Sequence, residues 1–181
     1  MWLFVVSDML TFSVLLIAYG YARLSSPDWP RPFSMNPDIL AATAMTVVLL
    51  ASSLTMVLAV TAAHRGDRRT TAWWMVATIG GGLLFVALHA REWVHLIAVQ
   101  GFTPWASPQG TPLFGAALFG ITGLHMAHVL VGVVYLGIVA AGFGRGKFSA
   151  EDVEVSGLYW HFVDLVWMFL FPLLYLTSVK H

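Results

Sequence analysis

The stretch from Ser156 to Val179 reads SGLYWHFVDLVWMFLFPLLYLTSV. A helix rises ~1.5 Å per residue against a hydrocarbon core of ~30 Å, so a run this long and this apolar spans a bilayer as a helix. Inside it stand His161 and Asp164, three residues apart and therefore on one stripe, with Tyr159, Trp160, Phe162 and Trp167 around them. An ionisable pair in a membrane helix must face protein or water rather than lipid. From spacing alone it reads either as a structural polar contact between helices or as part of a functional site.

Working outward, four further apolar segments have spanning length: Trp2–Ala22, Pro37–Ala63, Thr71–Val99 and Pro112–Phe143. The expected fold is therefore all-α: one transmembrane domain over residues 1–181, a bundle of five helices at about 2–22, 37–63, 71–99, 112–143 and 156–179. Short polar connectors predict antiparallel packing of successive helices. The first helix ends at Ser25, Ser26, Pro27 and Asp28, with Pro30 and Pro32 beyond. Asn36 reads as the N-cap of the second helix, with Asp38 in its first turn. Pro172 removes a ladder bond and predicts a kink in the last helix. Gly80, Gly81 and Gly82 in the third helix, and Gly115, Ala116, Gly120 and Gly123 in the fourth, predict close backbone approach.

Composition agrees with this class. Of 181 residues, 59% are hydrophobic and only 10% charged, and mean hydropathy is +0.79, which is the profile of a polytopic membrane protein. Nine basic residues balance nine acidic ones, leaving no basic face for nucleic acid. Without cysteine, disulfides and thiolate metal sites are excluded. The apolar run follows Met1 with no basic segment before it, so the first helix reads as retained rather than cleaved. Arg65, Arg68, Arg69, Arg145 and Lys147 fall on one side of the bundle, while Arg23, Arg31 and Lys180 fall on the other. The positive-inside rule then puts the N-terminus in the cytoplasm.

The buried ionisable residues fall into two groups. Asp8 lies ~10 Å and Asp164 ~12 Å along helices that enter from the cytoplasmic side, so with His161 they share a depth. His125 and His128, three apart, fall in the middle to inner part of the fourth helix. Asp8, His125, His128, His161 and Asp164 thus predict one polar network in the inner half, linking the first, fourth and last helices. Near the other surface, His89, Arg91, Glu92 and His95 predict a second cluster, with Glu92 within reach of both His89 and His95. These residues leave several functions open. Haem ligation needs facing histidines at one depth, yet His95 and His161 lie at opposite ends. A di-iron site needs a second Glu-x-x-His, which is absent. A transporter or proton relay fits an intramembrane carboxylate and histidine.

The motifs also resemble a known family, subunit III of the haem-copper terminal oxidases. YWHFVDLVW (159–167) is similar to the signature of that family's last helix, and GLHMAHVLVG from Gly123 resembles its paired-histidine pattern, with Met126 and Ala127 departing from it. Ser7–Asp8, HRGDRR from His64, and Glu92–Trp93 match in order along the chain. The resemblance implies a subunit without redox centres. It would pack on the catalytic subunit I and other oxidase subunits, and would support their stability and proton uptake in aerobic electron transport. Haem and copper would reside in the catalytic subunit, this chain would bind no metal and phospholipid would be a ligand. The membrane implied is the bacterial cytoplasmic membrane. Members often have seven helices, so five resemble a short form. The alternative is a free-standing membrane transporter or haem-binding membrane protein.

Overall fold

The computed structural model describes residues 1–108 and 111–180. Gln109 and Gly110 of the 100–111 connector, and His181 at the end of the expected domain, lie outside the described residues. Five helices are long and apolar enough to cross a membrane. They are α1 (Trp2–Ser25), α2 (Leu40–His64), α3 (Arg68–Ala98), α4 (Leu113–Gly144) and α5 (Ala150–Leu170). A π-helical turn at Met35–Ile39 leads into α2, and another at Phe171–Tyr175 follows α5. Pro172 stands at the start of that second turn, where its missing N–H breaks the α-helical ladder.

The ends of the helices follow from local chemistry. Gly66 takes a φ of 74°, and the N–H groups of Gly66 and Asp67 donate back to Ala63 and Ala62, closing α2 with a left-handed cap. Asp67 then accepts from the Thr70 amide at 3.1 Å and starts α3, so the link is only Arg65, Gly66 and Asp67. Hydrogen bonds from Thr70 hold the Asp67 carboxyl below its ordinary range. The last helix begins at Ala150 rather than at Ser156 as expected from hydropathy. Ser149 and Asp152 form a reciprocal capping box, and this stabilises a polar first turn ahead of the apolar run. Asn36 is not the cap: the turn at Met35–Ile39 starts after Ser34 without a side-chain cap bond to its amides, and the Asp38 carboxylate instead accepts from the Ser34 amide at 2.8 Å.

The centre of the bundle is α5. Of its spanning window 56% is buried inside the protein, against 17% for α1, so α1 is the peripheral helix. It lies mainly on α4 and α5, which corrects the expectation that it would neighbour α2. The connector carrying Pro27, Pro30 and Pro32 runs to the segment that follows α5 and its π-helical turn, where Phe33 donates to the Ser178 carbonyl and Lys180 donates to the Phe33 carbonyl. There Phe33 stacks on Tyr175 with centroids 4.7 Å apart. Tyr19 and Ser178 hydroxyls meet at 3.2 Å, and Arg23 donates to the Thr177 carbonyl at 2.6 Å.

Small residues do admit close approach, though not all those expected. At Gly81 an added Cβ would meet Ser52, and at Gly82 it would meet the Trp160 indole. Gly123 faces Trp93, and Gly115 faces the Thr103 carbonyl. Gly80 and Gly120 face open space instead, being on the outer side of their helices. Gly132, unremarked in the sequence, closes the other side of the slot that holds Trp160.

Candidate functional site

The indoles and hydroxyls of α2 and α5 set the frame. Trp160 Nε1–H donates to Ser52 Oγ at 3.1 Å, and Trp167 Nε1–H donates to Thr46 Oγ1 at 2.9 Å. His161 Nδ1 and Ser53 Oγ lie 2.7 Å apart, one residue on from the Trp160–Ser52 tie on each helix. Interhelical hydrogen bonds of this kind substitute for the hydrophobic drive that lipid does not supply.

The inner group divides in two. On one side, His128 Nε2 lies 3.0 Å from Asp8 Oδ2, joining α4 to α1. Its Nδ1 lies 2.8 Å from the Leu124 carbonyl, one turn earlier. A carbonyl can only accept, so Nδ1 carries a proton. The Asp8–His128 contact then holds one further proton, either on Nε2 facing a carboxylate or on the acid facing a neutral ring. Both forms are net neutral, which suits an apolar setting. Tyr159 donates its hydroxyl to the His128 carbonyl at 3.0 Å and ties this pair to α5. Phe12 presents its edge to the His128 ring, centroids 5.5 Å apart.

On the other side, His161 turns to α2 and Ser53, not to Asp8. Asp164 is buried, and its Oδ1 has no protein hydrogen-bond partner. The expected single network is thereby corrected. The reason is angular: Tyr159 and His161 are two residues apart on α5, so they point to opposite neighbours. His125 and His128 also diverge. His125 is buried in the centre, where Nε2–H donates to the Val163 carbonyl at 3.0 Å.

The second group also divides. His89 is buried between Phe85, Trp93 and Trp167, and its Nδ1 lies 3.9 Å from Glu92 Oε2. Tyr175 donates its hydroxyl to Glu92 Oε2 at 3.2 Å. Arg91 and His95 are exposed. Among the described residues no bond joins Glu92 to His95, which corrects that expected pair; they meet instead as neighbours around one cavity. Sequence reasoning passed over Ser52, Ser53, Thr46 and Tyr175. Hydroxyls at 46 and 53, seven apart on one face of α2, were the available signal. Among the described residues no three His, Asp or Glu side chains gather as a metal-holding group.

These features define a helical integral membrane protein whose buried polar side chains join helix to helix. The family model for cytochrome c oxidase subunit III matches residues 1–179, and the chain belongs to that family. It is similar to cytochrome c oxidase subunit 3 of Alkalihalophilus pseudofirmus, 30% identical over 98% of this chain and 85% of that one. The Corynebacterium diphtheriae protein of the same name is 32% identical over 95% and 83%. Subunit 3 of a cytochrome bo(3) ubiquinol oxidase from Pseudomonas aeruginosa is 29% identical over 98% and 83%. Membership gives the chain the part of an accessory oxidase subunit, and the transporter and haem-protein readings are not favoured.

Proposed function

We propose that the chain packs on the catalytic subunit I of a haem-copper respiratory terminal oxidase and supports that subunit's stability and proton uptake. Haem and copper then belong to subunit I, and this chain contributes no redox chemistry of its own. The placement is the bacterial cytoplasmic membrane, with the N-terminus and the α2–α3 and α4–α5 links in the cytoplasm, on the strength of the five basic residues Arg65, Arg68, Arg69, Arg145 and Lys147 there. Phospholipid is the expected small ligand. The intramembrane residues Asp8, His125, His128, His161 and Asp164 act as helix-to-helix polar contacts. The outer residues His89, Arg91, Glu92 and His95 serve the opposite end of the bundle.

The observation that carries this reading is the family match along residues 1–179. The Asp8–His128 pair adds a site where a single proton is held between two helices. Affinity purification of the tagged chain from its own membranes tests the assignment. Mass spectrometry of the intact complex is expected to show a larger catalytic subunit, and the sample to show haem absorbance that is lost when the chain is dissociated and repurified. A chain that isolates alone, or one that retains stoichiometric haem by itself, would overturn it.

A further inference from the structure

Five buried polar atoms lie in one belt across α3 and α4, and none has a protein hydrogen-bond partner: Glu92 Oε1, both ring nitrogens of His89, Trp93 Nε1 and His125 Nδ1. Among the described residues only two further buried side-chain atoms share that condition, so the deficit is local. The belt is continuous. His89 lies against Trp93, ring centroids 5.7 Å apart, and His89 and His125 both lie against Trp167, at 5.4 and 5.2 Å. By regular rise His89 stands ~14 Å in from the end of α3, at a depth where lipid offers neither donor nor acceptor. At the surface end of the belt, the start of α2 and the last turns of α3 enclose a cavity of about 360 Å³, lined by Asp38, Glu92 and His95 among apolar neighbours such as Ala44.

The chemistry of the five atoms selects the ligand. Trp93 Nε1–H can only donate, and His125 Nδ1 is an acceptor because the other nitrogen of that ring donates to the Val163 carbonyl. A neutral His89 ring needs one donor and one acceptor as partners. A cation or an anion would satisfy only half of such a set, whereas water both donates and accepts. The spacing agrees: His89 Nδ1 and Glu92 Oε2 are 3.9 Å apart, beyond a direct hydrogen bond and within the span of one bridging water. We infer that water fills this belt, entering at the Glu92 cavity and ending at His125, as a blind inlet into the centre of the bundle. A buried water makes about three hydrogen bonds, so a short chain of them answers all five atoms. The inner end is closed, since His125 Nε2–H is taken by the Val163 carbonyl and Phe85 and Trp167 pack on the ring. The inference concerns the chain's own interior and does not rest on the oxidase assignment.

Hydroxyl-radical footprinting tests this on the full chain, in whatever complex it purifies with, because radicals made from bound water by a brief X-ray pulse oxidise the side chains that touch that water. Trp160 and Trp167 form a matched pair. Both are buried on α5 and both donate to a hydroxyl of α2, yet only Trp167 borders the belt. Trp167 is expected to be oxidised several-fold faster than Trp160. His89→Leu takes away two of the five atoms, and Ala44→Phe fills the mouth of the cavity. Each is expected to bring Trp167 down toward the Trp160 rate. Should His89→Leu fail to fold, judged by its thermal melt, Ala44→Phe decides alone. Equal oxidation of the two indoles in the native chain would overturn the inference, and so would a Trp167 rate that stays unchanged in either folded variant.

Discussion

Asp8 Oδ2 and His128 Nε2 stand 3.0 Å apart between α1 and α4, and the opposite ring nitrogen of His128 faces the Leu124 carbonyl. Since α1 is the least enclosed helix, this pair is a principal polar hold on it. Asparagine can donate to Nε2 while Nδ1–H keeps its carbonyl, so both bonds survive in Asp8→Asn. That variant is expected to assemble and turn over nearly normally across pH. Asp8→Leu strands Nε2 at a cost of ~1–3 kcal/mol and should loosen the subunit from its complex. Native gels and oxygen-consumption assays distinguish them, and a turnover defect in a fully assembled Asp8→Asn complex would show that the carboxyl supplies protons rather than structure.

Glycines two apart in α3 should respond oppositely. Gly82→Ala drives a methyl into the buried Trp160 ring, which Ser52 and Gly132 hold in place, and overpacking of this kind costs ~1–3 kcal/mol. Gly80 faces open space, so Gly80→Ala should be neutral or slightly stabilising. Thermal unfolding of the purified chain reads both, and equal effects would contradict the assigned packing.

Thr46 and Trp167 offer a measurable tie between α2 and α5. Their contact at 2.9 Å predicts a coupling energy of ~0.5–3 kcal/mol in a double-mutant cycle of Thr46→Val and Trp167→Phe. Additive losses would mean that the indole N–H gains nothing from the hydroxyl.

Tyr175→Phe removes the donor to Glu92 Oε2 without altering the stacking on Phe33. The expected loss is ~1–3 kcal/mol in unfolding free energy. Combined with Glu92→Gln the loss should be less than additive, and full additivity would argue that the bond is not formed.

Asp67 gives a pH signature at the α2–α3 link. Thr70 lowers its carboxyl from the ordinary value of 3.8, so the ionised form is the one the folded link favours. Its contribution is present above pH ~3.8 and lost as pH falls through the lower folded value. The protection factors of the Thr70 and Thr71 amides, which remove the intrinsic pH dependence of exchange, should therefore fall on acidification in the native chain but not in Asp67→Asn, whose cap does not titrate. Identical pH profiles would exclude this cap as the cause.

Hydropathy and length by themselves determined the five spanning helices, because a bilayer demands ~20 apolar residues whatever their neighbours are. Turn chemistry was partly legible: the apolar run marked α5 from Ser156 onward, while its first turn depended on the Ser149–Asp152 capping box, which hydropathy does not register. The order of Asp8, His125, His128, His161 and Asp164 along the chain was equally plain. Their partners were not. A residue two positions along a helix turns by more than a right angle, so Tyr159 meets the His128 carbonyl while His161 meets Ser53, and only the rotation of each helix in the packed bundle selects between them. The same holds for Glu92, whose donor Tyr175 comes from 83 positions away. In lipid, apolar faces do not choose among themselves, and it is the fit of Trp160 between Gly82 and Gly132, with hydroxyls opposite the indoles, that decides the rotation.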